Sequence, residues 1–209
     1  MVLPGCPGSP AGRRSVGSAS HGAGPRTNER QGELLMDLKN PAGIYESPPG
    51  YDSQRLAEEI EEIRNFPQSL EKTISGLSEQ QLNTLTLPGN WTVAQVVHHL
   101  ADSHMNAFIR LKLALTEDNP VIKPYPESLW ANLVDGKDAI VQPSLEILRG
   151  VHRRMDQVLQ TLDATLGART FVHPEMHRKI PVFEIPALYS WHGRHHLAHI
   201  QLLKEDRGW

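Results

Sequence analysis

Seven of the 11 histidines in this 209-residue chain crowd into two short segments. His98, His99 and His104 occupy the first; His192, His195, His196 and His199 occupy the second. On a helix at ~100° per residue with Leu188 as origin, His192 falls near ~40°, His195 near ~340°, His196 near ~80° and His199 near ~20°. Leu188, Trp191, Leu202 and Leu203 share that side, and Gly193, Arg194 and Gln201 are expected to face outward. Four imidazoles therefore point toward a core. A neutral imidazole has one donor and one acceptor that each need a partner when buried, and an apolar core supplies neither.

A divalent cation would supply the missing partner. Histidines at i and i+4 stand one turn apart on one face, close enough to grip one ion, and two such pairs occur here, His192/His196 and His195/His199. One helical face cannot complete the coordination, so another segment must add a ligand. His98 and His99 both flank the apolar stripe of their helix, and periodicity does not choose between them. Taken singly, His98, His104 or His195 reads as an ordinary hydrogen-bonded core histidine; it is the clustering that favours metal. The zinc-protease pattern H-E-x-x-H is absent, because the segment reads His195-His196-Leu197-Ala198-His199. The single cysteine, Cys6, lies far from both clusters, which excludes a disulfide framework and leaves nitrogen and oxygen as ligands.

The elements that must position these residues are helical. Leu56, Ile60, Ile63, Leu70, Ile74 and Leu77 recur at helical spacing, with Pro67 expected to kink or split the run. A polar stretch ends in the turn signal Pro88-Gly89. The second helix opens at Thr92, with Gln95 placed for a capping box, and its apolar face runs from Val93 through Leu100 and Phe108 to Leu115. From Thr116 to Pro143 the chain is too long for a hairpin and should cross the bundle. Leu145, Leu148, Val151, Met155, Val158, Leu162 and Leu166 mark a third helix. Residues 170–182 suggest a hairpin-like excursion, with His173 and His177 expected at the surface. Pro186 suits the first turn of a fourth helix running through Leu203. No fixed-period repeat argues for a solenoid. The expected fold is all-α, an antiparallel four-helix bundle with one long crossing connection.

Residues 1–35 differ in kind, being rich in Gly, Ser, Pro and Arg without apolar periodicity, and are expected to form a disordered tail ahead of one domain at 36–209. The tail carries no acid before Glu29, as in organellar transit peptides, but its Gly and Pro oppose the amphipathic helix that such peptides need. A start at Met36 is the simpler account. A net charge of −3 with mixed signs gives no reason to expect nucleic acid or an acidic membrane as partner. No apolar run approaches the ~18–20 residues that span a bilayer. A soluble, cytoplasmic protein acting on a small molecule is expected, with a homodimer as one option for its assembly.

The segments Trp91–Asn106 (WTVAQVVHHLADSHMN) and Leu188–Ile200 (LYSWHGRHHLAHI) closely resemble the DinB/YfiT-like metal-dependent hydrolases of bacteria. The resemblance runs from about Ile44 to Trp209. It implies a four-helix bundle with a metal held by three histidines, one directly before a leucine on the second helix and two at i and i+4 on the last. On this chain those positions are His99, His192 and His196. The implied cofactor is one divalent ion per chain, zinc or nickel. Asp102, three residues after His99, is the candidate general base or ligand-orienting carboxylate, with an exposed helix carboxylate as the plain alternative. His195 and His199 would then line the pocket or its rim. A hydrolase is the first expectation. A thiol-dependent transferase or isomerase of the same superfamily is the second, with Arg110 and Lys112 as candidates to seat a thiol cofactor's carboxylates. A non-enzymatic metal-binding stress protein is the third.

Overall fold

Three of the four long helices begin or end where the chain supplies a cap. The computed structural model describes residues 38–87 and 89–209, so the tail and Met36 lie outside the described residues. Helix α1 spans Ser53–Ile74, and Asp52 caps it by accepting from the backbone N–H groups of Gln54 and Arg55. Helix α2 spans Val93–Thr116 and carries the expected capping box between Thr92 and Gln95. Helix α3 spans Gln142–Leu159, and α4 spans Glu184–Arg207 with Pro186 in its first turn. Gly208 closes α4 at φ 66, the left-handed conformation that a residue without Cβ adopts freely. Gly89 of the Pro-Gly signal likewise has φ 79. Pro67 does not split α1; the helix is continuous through it.

Cross-helix partners give the topology. Arg64 meets Asp156 and Arg149 meets Glu71, so α1 and α3 run antiparallel. Arg110 meets Tyr189 while His99 meets His192, so α2 and α4 also run antiparallel. In contrast, Glu62 pairs with Arg194 and Lys204 reaches the Thr73 carbonyl, making α1 and α4 parallel neighbours. His98 with Ser144 and His104 with His152 make α2 and α3 parallel neighbours. The consecutive helices α1 and α2 therefore stand on a diagonal of the antiparallel four-helix bundle. Because α2 and α3 point the same way, the connection between them must travel the length of the bundle, as its length implied.

An antiparallel hairpin, β1 (Thr170–His173) and β2 (Arg178–Pro181), precedes α4. Ile122 N–H donates to Val172 O at 3.0 Å and stitches the hairpin to the crossing connection. Two apolar clusters fill the bundle. One gathers Leu56, Ile60, Leu111, Met155 and Ile185; the other gathers Leu70, Val97, Leu100, Leu148 and Ile200. Between them, at the waist, lies a layer of buried histidines: His99, His104, His152, His192, His195, His196 and His199. No helix among the described residues is long and apolar enough to cross a membrane.

Candidate metal centre

Helix α2 brings His99 to the waist on the same buried stripe as Val96 and Leu100, and α4 brings His192 and His196 from the facing side. Their Nε2 atoms converge. His99 Nε2 lies 3.2 Å from His192 Nε2, and His196 Nε2 lies 3.1 Å from the same atom. All three side chains are buried, and Trp91 closes the cluster with its ring 4.6 Å from that of His99. Burial pushes the His99 pKa down to about 3. The same desolvation, followed by the neighbouring imidazoles, holds His192 and His196 well below the ordinary value. All three are neutral imidazoles at physiological pH.

The tautomer of His192 follows from a chain of four hydrogen-bonding groups, one on each helix. His152 Nδ1 lies 2.5 Å from Ile63 O on α1. A carbonyl only accepts, so the proton sits on His152 Nδ1 and its Nε2 is a lone pair. That Nε2 lies 2.8 Å from His104 Nδ1, which must donate, leaving His104 Nε2 to accept from His192 Nδ1 at 3.3 Å. His192 Nε2 is then an acceptor facing two further imidazole nitrogens. One ring lone pair serves two donors poorly, whereas one cation would use all three lone pairs at once. Zn–N bonds of about 2.0–2.1 Å put tetrahedral neighbours about 3.4 Å apart and octahedral ones about 3.0 Å apart. The observed spacings fall between, so the residues fit a divalent ion.

Pro67 explains why Ile63 is free for this role. In an α-helix the Ile63 carbonyl would accept from the N–H of residue 67, and proline has none. His152 takes the vacant acceptor. Phe66 stacks on His104 and His152 with centroids at 5.5 and 5.7 Å and shields the chain from water. Sequence reading passed over His152, although it lies on the apolar face of its helix, four residues after Leu148 and three before Met155.

His98 does not join the cluster. It bonds Ser144 Oγ at 2.7 Å and Asp138 O at 2.8 Å, which is the ordinary hydrogen-bonded role. His195 and His199 form a second buried pair with Nε2 atoms 3.2 Å apart, beside the triad: the His195 ring stands edge-on to that of His196 with centroids at 5.2 Å, and His195 Nδ1 has no partner among the described residues. Asp102 is half-buried, with its pKa raised to about 6, first by burial and then by Asp135, against a smaller lowering from His98. Three expectations are corrected. His173 is buried, since it lies at the end of β1 facing α2 and α4, while His177 is exposed as expected. Gly193 is buried, because α1 packs on that side of α4 and sets Phe66 against it. Arg110 and Lys112 do not share a groove: Arg110 turns inward to Tyr189, and Lys112 lies over the Phe108 ring.

Three buried imidazoles at the waist of a diagonally connected bundle define a class of helical metal-site proteins. Within it, the DinB superfamily model matches residues 62–200, and the chain belongs to that superfamily, in its YfiT-like branch. A Geobacillus thermodenitrificans protein named "Putative metal-dependent hydrolase" is 41% identical over 172 residues, covering 82% of this chain and 97% of its own length. A similarly named Oceanobacillus iheyensis protein is 44% identical over 174 residues, covering 83% of this chain and 100% of its own. The solved structure of YfiT from Bacillus subtilis, described as "a probable metal-dependent hydrolase with an unusual four-helix bundle topology", matches with TM-score 0.80 and 39% identity, over 83% of this chain and 99% of that one.

Proposed function

We propose that this protein is a metal-dependent hydrolase of small molecules in which His99, His192 and His196 hold one divalent ion, zinc or nickel. The observation that carries the reading is the convergence of three neutral Nε2 atoms, two of them 3.1 and 3.2 Å from the third. The names of the relatives support the reaction class. Three protein ligands leave coordination positions for water and substrate, as in catalytic rather than structural sites. Such an ion lowers the pKa of a coordinated water to about 7.

The remaining chemistry belongs to the chain. His104 and His152 hold the His192 ring in the tautomer that presents Nε2. Burial excludes bulk water from the triad. Asp102, on the turn after His99 and raised to about 6 by burial, is the proposed proton acceptor. Replacing it with Asn should lower hydrolytic turnover while metal content stays constant. Cytoplasmic location and homodimeric assembly belong to the same proposal.

A screen of metal-loaded protein against esters and amides, with His196→Ala as control, tests the reading. Turnover lost in the variant supports it; no turnover in either protein removes it. A thiol-dependent transferase is the second reading. Arg110, a cation with no carboxylate within ion-pair distance among the described residues, favours it, and thiol acceptors belong in the same screen.

A further inference from the structure

One turn from the triad, a cavity opens between the C-terminal half of α2, the crossing connection, the hairpin and the start of α4. Its empty space, mouth included, is about 690 Å³. Ser103, four residues after His99, and Tyr189, three before His192, form the wall toward the histidines. The Tyr189 ring stands 5.2 Å from His104 and 6.0 Å from His192, centroid to centroid. Phe171, Met176, Ile180, Ile185 and Leu188 give the cavity apolar sides.

Two buried polar atoms on residues lining this space have no partner among the described residues, Arg110 Nε and His173 Nδ1, and Tyr125 Oη beside them has only the Ser103 hydroxyl within hydrogen-bond reach. His173 is itself 9% exposed. Arg110 spends one contact on neutral Tyr189 Oη, donated from Nη1 at 3.3 Å. Unsatisfied polar atoms are costly singly, and two at one cavity point to a group that completes them. A guanidinium with a hydroxyl and an imidazole N–H beside it suits an oxyanion. The charge of that anion is limited. Arg110 is the one lining cation, while Glu127 and Glu175 also line the space, and Glu184 is occupied by a bidentate bond from Arg178 at 2.9 and 2.6 Å. With these carboxylates in the same lining, Arg110 offsets at most a single negative charge on the ligand.

We propose that this cavity binds a carboxylate monoanion with an apolar body, the carboxylate on Arg110, Tyr125 and His173 and the body against the apolar sides. The ligand's far end then points toward the triad. That the ligand is the substrate rests on the hydrolase reading; the binding itself does not.

The test is nuclear magnetic resonance titration of the metal-loaded protein with 3-phenylpropanoate and its neutral isostere 3-phenylpropanamide. The acid should bind saturably, shift the Arg110 Nε–H signal, and bind at least about tenfold tighter than the amide. Arg110→Gln should erase that preference with metal content unchanged. Should that variant not fold, Arg110→Lys, which keeps the charge and loses the planar fork, should weaken the acid selectively. Equal binding of acid and amide, absence of saturable binding, or acid binding unchanged in the Arg110 variants overturns the proposal; the last would place the carboxylate on the metal instead. Metal analysis of the same samples separates the two readings. Acid preference in a protein that holds no metal would leave the anchor and remove the metal centre. A metal-loaded protein without the preference would do the reverse.

Discussion

His104 Nδ1 stands 2.8 Å from His152 Nε2, joining the helix that carries His99 to one that carries none of the triad. Through His152 Nδ1 and Ile63 O the connection reaches α1, so all four helices meet in one polar chain ending at His192. The tautomer of His192 is thus set by a proline on α1, relayed through α3 and α2.

His152→Phe removes both the acceptor for His104 and the donor for Ile63 O. The buried orphans cost about 1–3 kcal/mol each, and loss of such an orienting partner weakens metal binding about 10–100-fold. Competition titration with a chelator measures the affinity, and nitrogen-15 spectra of His192 report its tautomer. Unchanged affinity with a protonated His192 Nδ1 would show that the chain is inert.

His99→Ala, His192→Ala and His196→Ala should each abolish stoichiometric metal, whereas His98→Ala should keep it, because His98 is held by Ser144 and Asp138 away from the triad. Elemental analysis decides this. Full occupancy in His192→Ala would remove the triad. Chelation should leave the helical circular dichroism largely intact and lower Tm, since two apolar clusters hold the helices without the ion.

Acid should destabilise the metal-free protein well above the carboxylate range. His99 is lowered to about 3 and His152 and His195 to about 4, in each case first by burial. Unfolded histidines titrate near about 6.5, so between there and about 4 the unfolded chain binds more protons, and stability falls as pH falls. Each group contributes roughly 1.4 kcal/mol per pH unit, or about 4 kcal/mol for the three together. Metal should be released in the same window, because protonated imidazole cannot coordinate. A Tm that does not change between pH 7 and 5 would contradict this.

Gly193→Ala should lower Tm, although alanine gains about 1 kcal/mol of helix propensity. An added Cβ would lie 2.8 Å from Phe66 Cδ2. Phe66 is buried and stacked on His104 and His152, so it has little room to yield, and overpacking of this kind costs about 1–3 kcal/mol. A raised Tm would show that the ring moves freely.

Much of this protein was legible as local pattern. Thr92 and Gln95 announce the start of α2, Pro186 the first turn of α4, and the span from Thr116 to Pro143 a crossing connection, because caps, prolines and loop length act over a few residues. The i, i+4 spacing of His192 and His196 is likewise a property of one helix. Which histidine comes from α2 is not: periodicity leaves His98 and His99 open, and it is the family resemblance that names His99. His98 and His99 flank the same stripe, and only the antiparallel placement of α2 against α4 turns His99 to His192 while α3 draws His98 to Ser144. Gly193 read as exposed because a helical wheel carries no information about a second neighbour, and α1 is that neighbour. Pro67 read as a break because the wheel sees the lost N–H and not the His152 imidazole, 89 positions beyond Ile63, that replaces it. The sequence alone determined the helices, their order and the supply of imidazoles. Only the packing of all four decided which nitrogens meet, since a hydrogen bond or a metal site depends on ångström distances between elements that sequence spacing does not encode.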